Sequence, residues 1–164
     1  MKAASINDIK KELAEKDVRE LQTLCLRLAK YKVENKELLT YLLYEADDEA
    51  AYVSSLKNDI DELFVDLPQG NVYFVKKGLR RILRVMNKQL KYSGIPQTEA
   101  EVRIHCCACI VEKRVPLSSS AVLSNMYLQQ LRKIENALAK LPEDLAFDYV
   151  QDFERVKKVK TLSK

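Results

Sequence analysis

Residues Asn71–Ser93 read NVYFVKKGLRRILRVMNKQLKYS. Val72, Val75, Leu79, Ile82, Leu83, Met86 and Leu90 recur at the spacing of one helical face. Lys77, Arg80, Arg81, Arg84, Lys88 and Lys91 fall on the other side, within roughly 100° of arc at 100° per residue. No Asp or Glu interrupts the stretch, and Lys76 brings its positive charges to seven. Glu45–Asp66, immediately before it, carries eight acids against the single Lys57. A segment of net charge −7 therefore precedes a helix of +7. Either the two pack together and their charges pair, or each presents a charged surface.

Outward from this helix the chain reads as helices and short links. Ser5 caps a helix from Ile6 to about Ala14, with Ile6, Ile9 and Leu13 as its buried face. Asp17, with Glu20 three residues on, opens a second helix carrying Leu21, Leu24, Cys25 and Leu28. A third starts near Asn35, with Leu38, Leu39, Leu42 and Leu43. Asp47-Asp48 breaks the pattern and caps a fourth, about Glu49–Val65. Pro68-Gln69-Gly70 turns the chain into the basic helix, and Gly94 ends that helix as a natural left-handed stop. A sixth helix, about Thr98–Lys113, is apolar on nearly every side from Ile104 to Val111, which predicts a central position. The seventh spans about Ala121–Lys140, and the eighth follows Pro142 to about Val159.

No sustained alternation and no Asn-Gly or Asp-Gly hairpin pair signals a strand. Three glycines in 164 residues are few for a turn-rich sheet protein or a phosphate-cradling loop. The expected fold is all-α: about eight helices in a bundle or a short stack of helical hairpins. One domain over residues 1–164 is expected, with a sub-bundle seam at 68–70 and a frayed basic tail at 157–164. No apolar run reaches signal-peptide or membrane-span length, so a cytosolic setting with reduced thiols, and no membrane partner, is the expectation.

Chemistry-bearing patterns are sparse. There is no phosphate loop, dinucleotide fingerprint, H-E-x-x-H or nucleophile elbow. His105-Cys106-Cys107-Ala108-Cys109 holds metal-ligand residue types. On a helix, however, only His105 and Cys109 share a side, and a closed zinc site needs about four converging ligands. Core packing is the expected role of these thiols, with no metal and no cofactor. A Cys–His nucleophile would have to pair His105 with Cys109 for the same reason. Tyr41, Tyr44 and Tyr52 beside the acidic segment suit half-buried packing, with partner anchoring as the alternative.

Glu34-x-x-Glu37 and Glu45-x-x-Asp48 each place two carboxylates on one helical face. This spacing is similar to that of the all-α nucleotide pyrophosphohydrolases, which implies Mg²⁺ held by those four residues against a triphosphate. The seven residues between the pairs are short for that family. The run LCLRLAKYKVENKELLTYLLYEADDEAAYV, Leu24–Val53, resembles a family of small all-helical bacterial proteins. That resemblance implies a bacterial cytosolic setting and a helical fold, and carries no activity, cofactor or catalytic residue.

The expected function is therefore non-enzymatic: a protein-interaction or scaffolding module with a charged helical surface, binding a protein partner or itself. Lys77, Arg80, Arg81, Arg84 and Lys88 form its candidate cationic surface. Asp47, Asp48 and Glu49 form a candidate acidic corner. The alternatives are weak, sequence-independent nucleic-acid binding by the basic helix and the Mg²⁺-dependent pyrophosphohydrolase.

Overall fold

The computed structural model describes residues 2–159. The chain is all-α, and among the described residues there are eight α-helices and no strand. Among the described residues no helix is long and apolar enough to cross a membrane. The chain divides into two compact units, Met1–Tyr44 and Glu45–Lys164. Only part of the basic tail foreseen at 157–164 is described: α8 ends at Lys157, and residues 160–164 lie outside the described residues.

The first unit holds α1 (Ile6–Ala14), α2 (Val18–Tyr31) and α3 (Val33–Thr40). Local chemistry sets these boundaries. The Ser5 hydroxyl accepts from the Asp8 amide. Asp17 and Glu20 form a reciprocal capping box, each carboxylate receiving the other residue's backbone N–H. Asn35 lies inside α3 and does not start it. Its side chain donates to the Leu28 carbonyl at 2.9 Å and ties α3 back to α2. A five-residue π-helical segment, Tyr41–Glu45, follows α3.

This unit corrects one expectation. Ile6, Ile9 and Leu13 are exposed, Ile6 to 81%. No residue of α1, α2 or α3 is buried. Amphipathic spacing fixes which face is apolar, but burial needs a second surface against that face.

The second unit has such surfaces. It comprises α4 (Glu49–Val65), α5 (Val72–Ser93), α6 (Pro96–Glu112), a 3₁₀ turn at Leu117–Ser119, α7 (Ala121–Leu138) and α8 (Glu143–Lys157). Asp48 caps α4 by accepting from the Ala51 amide at 3.0 Å. Asn71 caps α5, and Gly94 ends it at φ 67°, where a side chain would be strained. Helix α6 is central as its all-round apolarity predicts, packing against α4, α5, α7 and α8. The core interleaves Ile60 and Phe64 of α4, Leu79, Ile82 and Met86 of α5, Val102, Cys106 and Ile110 of α6, and Leu123, Tyr127 and Ile134 of α7.

Pro68–Gly70, where the sequence suggests a seam, is a turn inside this unit. Helices α4 and α5, on either side of it, pack against each other and share one core. The division falls instead at Tyr44 and Glu45.

Buried polar groups in the second unit are paired with few exceptions. Arg103, 4% exposed, donates through Nε to Glu99 at 2.9 Å and through Nη1 to the Gln130 side chain at 2.7 Å. A buried cation is tolerable because both partners hold it, and the Gln130 bond fixes α6 against α7. The Tyr127 hydroxyl donates to the Val156 carbonyl at 2.6 Å and fastens α7 to the end of α8.

The contrast between the units is measurable. Leu79→Ala, at a position with no exposed surface, should cost about 2–5 kcal/mol. Leu28→Ala, 60% exposed, should change stability by about 0.5 kcal/mol or less. Urea midpoints of the two variants against wild type check this.

Candidate functional site

The cationic stripe lies on α5. Lys77, Arg80, Arg81 and Arg84 are exposed. Among the described residues, no carboxylate forms an ion pair with any of the four. Lys88, the fifth candidate, is half-buried and engaged in interactions of its own. From Lys77 to Arg84 the stripe rises roughly 10 Å at 1.5 Å per residue.

The acids of α4 do not pair with it, and two of them, Glu49 and Asp61, bond elsewhere. Lys57, the one cation of α4, pairs with Glu101 of α6 at 2.6 Å. Asp61 faces His105 of α6 at 2.7 Å. Glu49 accepts the hydroxyls of Ser93 and Thr98, joining the start of α4 to the α5–α6 connection. Of the candidate acidic corner, Asp47 is exposed, Asp48 caps α4 and Glu49 is half-buried in these bonds. Asp48 also ends the Glu45-x-x-Asp48 pair at a helix start, its carboxylate already receiving a backbone N–H. Glu45 lies in the π-helical segment, and Glu34 and Glu37 lie on α3.

Sequence reading pairs His105 with Cys109 but passes over Asp61, the third member of a second polar cluster. Asp61 of α4 meets His105 and Cys109 of α6. Cys109 Sγ lies 3.2 Å from Asp61 Oδ1 and 3.6 Å from His105 Nε2. Their ligand atoms all fall within 4.8 Å of one another, and this is the sole such group of three among the described residues. His105 and Cys109 come together because residues four apart share a helical face. Asp61 is 44 residues from His105 in the chain, and no local spacing points to it.

The hydrogen bonding defines what this cluster does chemically. Asp61 Oδ1 is the shared acceptor, receiving the Cys109 thiol and the His105 ring nitrogen. The thiol proton therefore points to a carboxylate and not to an imidazole base. Burial, then the hydrogen bond and charge of Asp61, push the Cys109 thiol well above the usual range. A Cys–His nucleophile needs the reverse, a base that lowers the thiol.

His105 also lines a cavity of about 470 Å³ with Lys57, Glu101, Glu112, Tyr149 and Asp152. The cavity's polar wall is internally bonded. Gln97 donates to the Tyr149 hydroxyl at 3.0 Å, and that hydroxyl donates to Glu101 at 3.1 Å. Desolvation, the largest cause, raises the Tyr149 phenol.

No known protein family, curated protein or solved structure matches this chain.

The thiols give a direct test. Burial pushes Cys107 up to about 12 and Cys106 higher still, whereas Cys25 is exposed. In the folded protein at pH 8, Ellman's reagent should modify Cys25 first, with the three thiols of α6 reacting at least roughly a hundredfold more slowly. All four should react at once in denaturant. The same burial sets a pH dependence. Above about pH 9 the unfolded Cys106 and Cys107 ionise while the folded ones keep their protons, so stability falls as pH rises. Each contributes a slope that approaches roughly 1 kcal/mol per pH unit as the unfolded thiol becomes fully ionised, checked by urea unfolding between pH 8 and pH 10.

Proposed function

We propose that this chain is a non-enzymatic protein-interaction module that docks on a partner protein through the apolar faces of its N-terminal helices. The observation that carries this reading is that α1, α2 and α3 contain no buried residue. Ile9 and Leu13 of α1, and Leu24 and Leu28 of α2, are exposed. Surface leucines scattered singly are ordinary, but apolar faces repeated along successive helices mark contact surfaces. Amphipathic helices gain most of their stability from packing that face. The exposed cations of α5 supply a second, electrostatic surface, suited to an acidic partner and to faster encounter.

Sedimentation velocity over a range of concentrations, together with cross-linking in lysate, tests the reading. Wild type should either self-associate or cross-link to a discrete partner. The triple variant Ile9→Ser, Leu13→Ser, Leu28→Ser should lose that association while keeping its helical circular dichroism. A monomer at every concentration whose cross-links match those of the variant would overturn it.

The open stripe on α5 supports a second reading, sequence-independent nucleic-acid binding. Exposed Lys and Arg along one helix can follow a phosphate backbone, and each contact releases counterions. Anisotropy titration of a mixed-sequence oligonucleotide at rising salt separates the two readings. On the nucleic-acid reading, affinity falls steeply with salt and vanishes in Arg80→Glu, Arg81→Glu, Arg84→Glu. Absence of binding at low salt removes it, because electrostatic attraction is strongest there.

A further inference from the structure

We propose that Asp61, His105 and Cys109 bind one divalent transition-metal ion of the zinc class. The three side chains offer one carboxylate oxygen, one imidazole nitrogen and one sulfur, converging from two packed helices. In tetrahedral zinc sites the metal–ligand bonds are about 2.0–2.3 Å. Neighbouring ligand atoms then lie roughly 3.3–3.8 Å apart by simple trigonometry. The Cys109 Sγ to His105 Nε2 separation of 3.6 Å already has that length. The two edges to Asp61 Oδ1, at 2.7 and 3.2 Å, are shorter because hydrogen bonds close them. Opening them requires a movement of under about 1 Å by Asp61, whose side chain is half exposed.

The donor set selects the ion. A thiolate with an imidazole and one carboxylate suits zinc and its neighbours in the transition series. Magnesium and calcium require mostly oxygen. Three protein ligands leave a fourth position for water or for a ligand from another molecule.

Binding exchanges a proton for the metal: the Cys109 S–H bond breaks, an S–metal bond forms, and one proton leaves to solvent. On binding, the His105 ring proton shifts from Nε2, where it faces Asp61, to Nδ1, so that Nε2 presents its lone pair to the metal. With thiolate and carboxylate bound, the dication's charge is neutralised. Glu112, whose charge acts on Cys109, adds further attraction for a cation. Loading would replace two hydrogen bonds between α4 and α6 by a coordinate clamp.

Cobalt(II) is the probe, added to the reduced full chain. The expected result is visible bands of tetrahedral intensity and a near-ultraviolet thiolate-to-cobalt band, saturating at about one ion per chain. Zinc should displace them with release of about one proton, read from buffer-dependent calorimetric heats. Cys25→Ser should retain the spectrum. Cys109→Ser should lose the near-ultraviolet band. Asp61→Asn, a surface change that leaves the core intact, should weaken binding at least about tenfold. A spectrum that stays that of aqueous cobalt in wild type overturns the proposal and leaves the trio as a hydrogen-bonded helix clamp. Bands that follow Cys25 and survive Cys109→Ser overturn it as well. Should Cys109→Ser fail to fold, unchanged affinity in Asp61→Asn decides against the site.

Discussion

Burial of α6 on several sides is the constraint on which the second unit depends. Helices α4, α5, α7 and α8 each pack against it, so its sequence has to be apolar at nearly every angle. Small residues meet that need: Ala100, Cys106, Cys107 and Cys109 are buried along its length. Cysteine in this setting acts as a compact hydrophobe, and close helix approach follows from the absence of bulk. The one buried charge of α6, Arg103, is held by Glu99 on its own helix and Gln130 on α7. That pairing fixes orientation where apolar contacts alone would permit sliding.

Charge is distributed by the same geometry. An acidic helix followed by a basic one invites the expectation of mutual pairing. In the structure α4 turns Lys57 and Asp61 toward α6, to Glu101 and His105. The stripe Lys77–Arg84 on α5 is left open. Surface ion pairs contribute only about 0–1 kcal/mol each, too little to dictate how two helices rotate. Apolar burial at Ile60, Phe64, Leu79 and Ile82 is worth several times more per residue and sets the rotation. The charges then fall where that packing leaves them.

The N-terminal unit shows the other side of that balance. Its capping is as good as any in the chain, with a complete box at Asp17 and Glu20. Caps stop and start helices; they do not supply a core. Helix ends are well specified, while Ile9, Leu13 and Leu28 stay exposed even though α2 packs against α3. The proposed protein docking on those faces, and the proposed metal coordination at the α4–α6 junction, rest on separate features of the chain.

Much of the secondary structure was determined by the sequence alone. Ser5, Asp17, Asp48, Asn71 and Gly94 mark helix ends by local hydrogen bonding and backbone preference. The all-α class, the extent of α4 and the central place of α6 follow from spacing and composition, because those signals act within a few residues. Tertiary structure alone decided which apolar faces are covered, and so corrected the expected burial of Ile6, Ile9 and Leu13. It alone left the α5 stripe open and spent Glu49 on Ser93 and Thr98. It alone brought Asp61 to His105 and Cys109 across 44 residues of chain. Such meetings depend on the rotation and register of packed helices, and those are set by the summed fit of the whole core and not by any local stretch.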